Sequence, residues 1–327
     1  MMRLSLLLAL LTLALMAVSV ALGPVPFDLA AAIGDLLAGR PTLEALVLAD
    51  LRIPRAVLGA AVGFSLGLTG AALQGLMRNP LADPGVVGVS GAAALGAVLA
   101  FYFGWSSVFA LALPLGGLVG AGLSTALLLM LARRGASTAT LILAGVALNS
   151  LAGALTALAL NLAPSPYAAL EVVFWLMGSL SERSLQHVGL ALPFMAIGWV
   201  LVLATGRAMD ALTLGEDTAQ SLGFSLRRTR LLVVGGAAAC VGASVAVAGA
   251  IGFVGLVVPH LLRPLIGHRP GRLLVVSGLA GAALTLGADI LVRLIPTRPE
   301  LKLGVVTALI GAPVFLVLLR RLRLDGE

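Results

Sequence analysis

The sequence predicts an all-α membrane protein that crosses the bilayer many times. Of its 327 residues, 60% are hydrophobic and only 11% are charged, whereas soluble domains carry roughly a quarter charged residues. Apolar runs of about 20 residues recur from end to end, which is the length an α-helix needs to cross roughly 30 Å of hydrocarbon. The 40 glycines favour close helix packing in lipid. We therefore expect one transmembrane domain, residues 1–327.

Ten apolar runs separated by turn signals define the predicted spans. They cover 4–22, 56–76, 86–103, 108–132, 139–163, 188–206, 231–250, 251–266, 273–295 and 303–320. The first run is longer than the usual 7–15 apolar residues of a signal peptide, so we expect a retained helix. Pro259 and Pro264 interrupt the eighth run, which predicts a short or broken span.

The basic residues predict the orientation. With ten spans, both termini share one side of the membrane, and most of the 21 basic residues fall on that side. They are Arg3, Arg78, Arg133, Arg134, Arg207, Arg227, Arg228, Arg230, Arg263, Arg269, Arg272, Arg320, Arg321 and Arg323. The other side holds Arg40, Arg52, Arg55, Arg183, Arg293, Arg298 and Lys302. The positive-inside rule makes the first side cytoplasmic, with both termini in the cytoplasm.

A sequence echo bears on internal symmetry. The stretch "VSGAAALGAVLA" from Val89 returns loosely as "VSGLAGAALTLGA" from Val276, each after a polar break that contains prolines. Together with the span order, the echo suggests an inverted repeat of spans 2–5 and 7–10, which is frequent in transporters. Helices rich in alanine and glycine also resemble one another by composition alone, and both interpretations stay open.

Several function classes are disfavoured by the residues present. Cys240 is the single cysteine, so no disulfide forms within the chain, and no metal-ligand spacing occurs. The only lysine, Lys302, lacks the glycine-rich context of a phosphate-binding loop, so this chain is not an ATPase. The basic clusters lie between apolar runs, which argues against nucleic acid.

Two rival functions need polar residues inside the membrane. An ion-gradient-driven secondary transporter needs acids or histidines at mid-membrane depth, and Asp289 and His260 each lack an evident partner for such a relay. We expect both to be structural. An intramembrane hydrolase is disfavoured because His260 has no serine nucleophile motif near it.

Five stretches resemble the FecCD-type permease family, the membrane subunits of ABC importers for ferric siderophores, haem and cobalamin. They are "LRIPRAVLGAAVGFSLGLTGAALQGLMRNPLADPGVVGVS", "LILAGVALNS", "LTLGEDTAQSLG", "VAVAGAIGFVGLVVPHLLR" and "KLGVVTALIGAPVFLVLLRR". The resemblance implies ten spans in a bacterial inner membrane and a homodimer or close heterodimer with the pathway at its interface. It also implies two cytoplasmic ATPase subunits that bind ATP and Mg²⁺, and an outer binding protein. A ferric siderophore ranks first as cargo.

The polar segment 210–229 is predicted to couple transport to the ATPase. Asp210, Glu216 and Asp217 precede or begin a short helix, where carboxylates favour the positive end of the helix dipole, and Gly223 suits its C-terminal cap. Apolar side chains on one face suit docking into a partner's groove. By resemblance, Glu216, Ala219 and Gly223 match the family's coupling pattern. The predicted coupling residues are Leu214, Gly215, Glu216, Asp217, Ala219, Leu222 and Gly223, with Phe224 adding apolar contact. An ordinary solvated loop is the alternative.

Three arginines on the outer side form a second candidate site. Arg52 and Arg55 flank "IP" at the start of span 2, and Arg293 lies near the end of span 9. Guanidinium groups gathered there suit carboxylates of a docking protein, and arginines at matching positions in the family receive acids of the binding protein. The alternative is that they anchor helix ends at the lipid head groups.

The family's pathway helices are spans 5 and 10. Span 5 carries Asn149, Ser150 and Thr156, which either line the pathway or hydrogen-bond a neighbouring helix. Ser137 and Thr138 match the family's cytoplasmic gate and also suit an ordinary N-cap. Span 10 contributes Thr307 and a bend at 311–313.

Overall fold

The computed structural model describes residues 2–23, 28–133, 138–267, 269–297 and 299–324. Within these ranges the regular secondary structure is helical and no strand occurs, which confirms the all-α prediction. The α-helices are α1 (Met2–Ala21), α2 (Leu29–Leu37), α3 (Leu43–Val47), α4 (Ile53–Met77), α5 (Val89–Tyr102), α6 (Ala112–Arg133), α7 (Thr138–Asn161), α8 (Pro166–Leu176), α9 (Leu185–Leu203), α10 (Gly206–Leu212), α11 (Glu216–Ser221), α12 (Leu226–Ala248), α13 (Val254–Leu262), α14 (Pro270–Leu294) and α15 (Leu303–Leu324).

Four shorter helical pieces complete the described secondary structure. A π-helical turn, Leu48–Arg52, joins α3 to α4. Three 3₁₀ turns cover Pro84–Val87, Trp105–Ser107 and Arg263–Ile266.

By length and composition, seven helical stretches of the described residues could cross a membrane. They are Arg3–Ala21, Leu43–Met77, Ala112–Leu131, Ala139–Asn161, Leu185–Leu203, Leu226–Ala248 and Pro270–Leu294. Helices α5 and α13 are shorter than a bilayer is thick, and α15 has described side chains only over Leu303–Val317, so it is not counted among the seven. The protein is therefore a polytopic helical membrane protein, and the count of ten spans stays a prediction.

Several helices lie where the sequence predicted loops. Helices α2, α3, α8 and α10 are 5 to 11 residues long, so a search for runs of about 20 apolar residues passes over them. Local capping supports some of them: the Asp28 carboxylate accepts from the backbone N–H groups of Ala30 and Ala31, and Ser165 Oγ accepts from Ala168 N at 3.2 Å.

Helices α4 and α14 form the centre of the bundle. Most of each helix is buried, and they cross so closely that a β-carbon at Gly67 would overlap the Ser277 carbonyl oxygen. Gly63 meets Gly281 in the same way. Helix α12 packs between α6 and α9, and α1 packs on α14. Small residues therefore form the seam at which the backbones approach.

Two irregular segments enter the bundle from opposite ends. Residues 79–88 follow the C-terminal end of α4, and Pro84 packs on Gly255, which itself lies against Leu66 in the middle of α4. Residues 249–253 separate α12 from α13, and Ser179 N donates to Ala248 O at 2.7 Å nearby. Pro84 therefore lies deep in the bundle, although the sequence placed residues 77–85 in a cytoplasmic loop.

Candidate functional site

The three outer arginines lie together at one end of the bundle, as predicted. We call Arg52, Arg55, Arg293, Asp289 and Glu300 the outer arginine cluster. Arg55 Nε lies 3.1 Å from both carboxylate oxygens of Asp289, and Arg55 Nη2 also contacts Glu300. Arg293 Nη2 lies 3.0 Å from Asp289 Oδ2. Asp289 therefore pairs with two guanidinium groups, which agrees with the structural role expected for it.

Two of these arginines also cap the C-terminal end of α1. Arg52 Nη1 donates to the carbonyl oxygens of Val20 at 3.1 Å and Ala21 at 2.8 Å. Arg293 Nη1 donates to Ser19 O at 2.8 Å and Leu22 O at 3.0 Å. The last carbonyl groups of a helix lack partners within it and carry partial negative charge, so both contacts are favourable. Arg52 and Arg293 therefore hold the end of α1 through protein carbonyl groups, and both the docking prediction and the alternative of anchoring at lipid head groups stay predictions.

Glu300 is the most accessible acid of the outer arginine cluster. Its side chain is 29% exposed, against 1% for Asp289 and 14% for Arg55. Burial raises the pKa of the Glu300 carboxyl, but the hydrogen bond and charge of Arg55 lower it by a larger amount. The pKa therefore lies below its ordinary value. The carboxylate is thus ionised at neutral pH and holds the loop before α15 to α4.

The predicted coupling segment contains α11 with the expected caps. Glu216 and Asp217 occupy its first turn. At its end, Phe224 N donates to Ala219 O at 3.0 Å and Gly223 N donates to Gln220 O at 2.8 Å. These two bonds with Gly223 at φ 87° form a Schellman cap. The prediction that Gly223 ends this helix is confirmed.

The surroundings of α11 fix its position and expose its leucines. Glu216 pairs with Arg230 of α12 at 3.2 Å, and Ala219 is fully buried. Leu214 and Leu222 are 65% and 58% exposed. Gly215, at φ 108°, precedes the first helical residue. The segment is thus a short, anchored helix that presents two leucines at the end of the bundle opposite the outer arginine cluster.

One acid of this segment has a different role from the predicted one. Asp210 was expected near the first turn of the short helix, but it lies in α10, and its Oδ1 accepts from Gly271 N at 2.9 Å. It therefore caps the start of α14, a helix that lies distant in sequence. The sequence could not indicate this contact because it depends on how α10 packs on α14.

The predicted pathway residues separate into different surroundings. Asn149 and Ser150 line a cavity of about 480 Å³ between α4, α5, α7, α12 and residues 249–255. Thr307 is buried, donates to Gly304 O at 3.1 Å, and lines a separate, largely apolar cavity of about 240 Å³. Thr156 is half-buried on α7, outside both linings.

The predicted gate is only partly described. Ser137 lies outside the described residues. Thr138 begins α7, and only its backbone is described. The gate and N-cap interpretations of this pair therefore stay predictions.

Sequence reasoning missed Asp83, which lines the larger cavity. Its Oδ1 accepts from Gly85 N at 2.7 Å, and this bond starts the 3₁₀ turn Pro84–Val87. The flanking Pro80 and Pro84 were a usable signal, because prolines near an acid often mark a broken helix at a transport site.

The sequence of this chain is similar to those of several permease proteins of ABC transporters. The chain is 42% identical over 285 residues to the cobalamin import system permease protein BtuC of Halobacterium salinarum, covering 86% of this chain and 75% of that one. It is 42% identical over 282 residues to the vitamin B12 import system permease protein BtuC of Vibrio cholerae, covering 86% and 84%. An uncharacterized ABC transporter permease protein, YvrB of Bacillus subtilis, is 40% identical over 286 residues, covering 86% and 80%.

A solved structure extends the match to the whole fold. Its description names an inward-facing conformation of a metal-chelate type ABC transporter, and it superposes with a TM-score of 0.85 at 30% identity, covering 98% of this chain and 100% of that one. The sequence pattern of the FecCD transport family matches residues 10–321. The chain therefore belongs to the FecCD transport family, as a permease subunit of an ABC importer.

Proposed function

We propose that two copies of this chain form the membrane core of an importer driven by two cytoplasmic ATPase subunits, which bind ATP and Mg²⁺. The observation that carries the proposal is α11, a short helix anchored by the Glu216–Arg230 pair that exposes Leu214 and Leu222. Exposed leucines on a fixed helix suit insertion into an apolar groove of a partner. The Schellman cap at Gly223 and the Glu216–Arg230 pair would transmit the partner's movement to α12.

Reconstitution tests this energy source. The permease and its cognate ATPase are placed in proteoliposomes with the binding protein, and cargo uptake is measured with and without ATP. Uptake that requires ATP hydrolysis and survives an ionophore supports the proposal. Uptake driven by an ion gradient without nucleotide would favour a secondary transporter and contradict it.

A substitution at α11 tests the docking surface. Leu222→Asp should weaken binding of the ATPase at least about tenfold, because a charge enters an apolar contact. The melting temperature of the permease alone should stay unchanged, since this side chain is exposed. Leu37→Asp, at an exposed leucine of α2, is the matched control. Equal ATPase affinity for both variants would count against α11 as the coupling helix.

The outer arginine cluster is proposed to receive an acidic binding protein. Its three arginines and two acids leave an excess of one positive charge. Arg55 and Glu300 are its accessible members, so we assign first contact to Arg55 and a supporting role to the more buried Arg52 and Arg293. Charge complementarity of this kind mainly accelerates association and fixes orientation.

Ten spans with both termini in the cytoplasm of the bacterial inner membrane remain our proposed topology, with an inverted repeat. The sequence echo pairs α5 with α14, the third and ninth spans, which are not equivalent under such a repeat. Packing gives better support: α4 packs on α14 and α13, while α12 packs on α6 and α5. An inverted repeat that maps spans 2–5 onto spans 7–10 turns the contact of α4 with α14 into that of α12 with α6. It likewise turns the contact of α4 with α13 into that of α12 with α5.

The pathway is proposed to run along α7 and α15 between the two copies. Both helices expose leucines, among them Leu151 and Leu309, and Asn149 and Ser150 are exposed beside the larger cavity. The named relatives lead us to rank cobalamin first as cargo, ahead of the ferric siderophore that the sequence favoured and of haem. Uptake of labelled cyanocobalamin, compared with a ferric siderophore and haem, decides between them.

A further inference from the structure

Asp83 is a half-buried acid beside a cavity in the bundle. It lines the cavity of about 480 Å³ together with Val62 and Leu66 of α4, which lie near the middle of that 25-residue helix. The next residue, Pro84, packs on Gly255. Asp83 therefore lies level with the middle of α4 and not at its end. Ionisable residues at such depth are costly and usually face a water-filled or functional cavity.

This carboxylate has no cationic partner within the described part of the chain. The ion pairs found there join Arg40 to Asp35, Arg55 to Asp289 and Glu300, Arg230 to Glu216, and Arg293 to Asp289. Asp83 makes one described hydrogen bond, from Gly85 N. A single neutral hydrogen bond compensates poorly for the burial of a charge, since buried charges are normally paired.

The remaining described walls of the cavity are neutral. Their polar members are three serines and an amide: Ser90, Asn149, Ser150 and Ser244. Ser244 Oγ donates to Cys240 O at 2.7 Å, which directs its hydrogen away from the cavity. Asp83 is thus the one formal charge among the described lining residues. Its negative charge attracts cations and N–H donors into the cavity and repels anions.

We propose that Asp83 makes this cavity a binding site for an N–H donor group of the cargo, a primary amide or an ammonium, and that it rejects anionic groups. The inference rests on the proposed function for its cargo path. A purely structural alternative is that Asp83 only caps the 3₁₀ turn. Asp83→Asn separates the two because the amide oxygen still accepts from Gly85 N while the charge is lost.

A thiol-labelling experiment tests the charge without any cargo. In the detergent-solubilised complex of permease and ATPase, Asn149→Cys is treated with a trimethylammonium or a sulfonate methanethiosulfonate. The measured quantity is the labelling rate of the cationic reagent divided by that of the anionic reagent. This rate ratio should be high when Asp83 is present, and Asp83→Asn should lower it at least about fivefold. The same comparison is made at Ser90→Cys. The parent protein is the blank because its Cys240 is fully buried.

The control is Asp50→Asn in the same cysteine background, which removes an exposed acid on the turn Leu48–Arg52 and should leave the ratio unchanged. An equal ratio with and without the Asp83 carboxylate would overturn the proposal. Failure of both introduced cysteines to react would also overturn it, because the cavity would then be closed to solutes.

Uptake then tests the donor preference. Cyanocobalamin, which carries primary amides, is compared with a derivative in which one amide is a carboxylate. Asp83→Asn should reduce uptake of the amide form about tenfold and narrow the preference over the acid form. If Asp83→Asn leaves the preference for the amide form over the acid form unchanged, the proposal is contradicted. Wild-type protein that imports neither compound would instead count against cobalamin as cargo, and the labelling ratio still decides the role of Asp83.

Discussion

Arg55 and Asp289 join the outer ends of α4 and α14 through a side-on pair, in which Arg55 Nε lies 3.1 Å from both carboxylate oxygens and Nη2 lies 2.9 Å from Oδ1. Asp289 is almost fully buried and also accepts from Arg293. The helices that cross at a glycine seam are therefore also tied by charge at one end. This pair is the basis of the first two predictions.

Loss of the buried carboxylate should destabilise the protein strongly. In Asp289→Ala, two guanidinium groups lose their buried partner, which costs about 3–5 kcal/mol in comparable pairs. The melting temperature of the purified permease, followed by fluorescence-detected gel filtration, should fall by several degrees. Asp35→Ala is the matched control because its partner Arg40 is largely exposed and such pairs contribute about 0–1 kcal/mol. Equal shifts for the two variants would contradict this account.

Stability should fall with acid through Glu300. The pKa of Glu300 lies below its ordinary value of 4.5 in the folded protein, so its contribution is present above pH 4.5 and is lost as the pH falls through the lower, folded value. The difference in melting temperature between wild type and Glu300→Gln should shrink as the pH drops from 7 toward 3. A difference that stays constant over this range would show that Glu300 is not stabilised by Arg55.

Gly223→Ala should uncouple ATP hydrolysis from uptake. No atom lies within 4 Å of the added β-carbon, so the effect comes from φ 87° alone, a conformation that costs alanine about 1–2 kcal/mol. The Schellman cap then frays and α11 loses its fixed position. Cargo imported per ATP hydrolysed should drop while insertion is normal. Gly122→Ala, a helical site with equally open space, should keep the wild-type ratio.

Gly67→Ala should disrupt the bundle itself. The added methyl group would overlap the Ser277 carbonyl oxygen, which is backbone and cannot rotate away. Overpacking of this kind costs about 1–3 kcal/mol or forces the helices apart. Yield and thermal stability should both decrease. Gly153→Ala, where nothing lies within 4 Å, serves as the comparison; if it behaved like Gly67→Ala, the seam would not explain the loss.

The sequence was sufficient where a property depends on local composition. Apolar length identified α12 and α14, and the acids and Gly223 identified α11 with its caps. The sequence was insufficient for side-chain partners that depend on how helices distant in the chain pack together. The partners of Arg55 follow from the crossing of α4 and α14, and the contact between Asp210 and Gly271 follows from the packing of α10.

The position of Asp83 is the clearest example of a feature that hydropathy alone does not predict. Hydropathy treats a polar stretch with two prolines as a loop outside the membrane, because it scores composition along the chain without depth. In the folded protein the stretch turns back and the acid lines a cavity beside Leu66. The sequence left Asp83 in the break between the predicted spans 56–76 and 86–103, whereas the structure places it in the wall of a cavity beside α4; Arg78 ends α4 with a left-handed cap.

The glycine seam between α4 and α14 limits how the protein can move. The backbones of Gly63 and Gly67 meet those of Gly281 and Ser277 at the centre of the seam, so we expect the two helices to resist sliding past each other there. We therefore expect α4 and α14 to move together as one rigid unit that ends at the outer arginine cluster. If the cargo path follows α7 and α15, as we propose, we expect these two helices to move against α4 and α14 when the path opens, since α15 packs only weakly on α13 and α14.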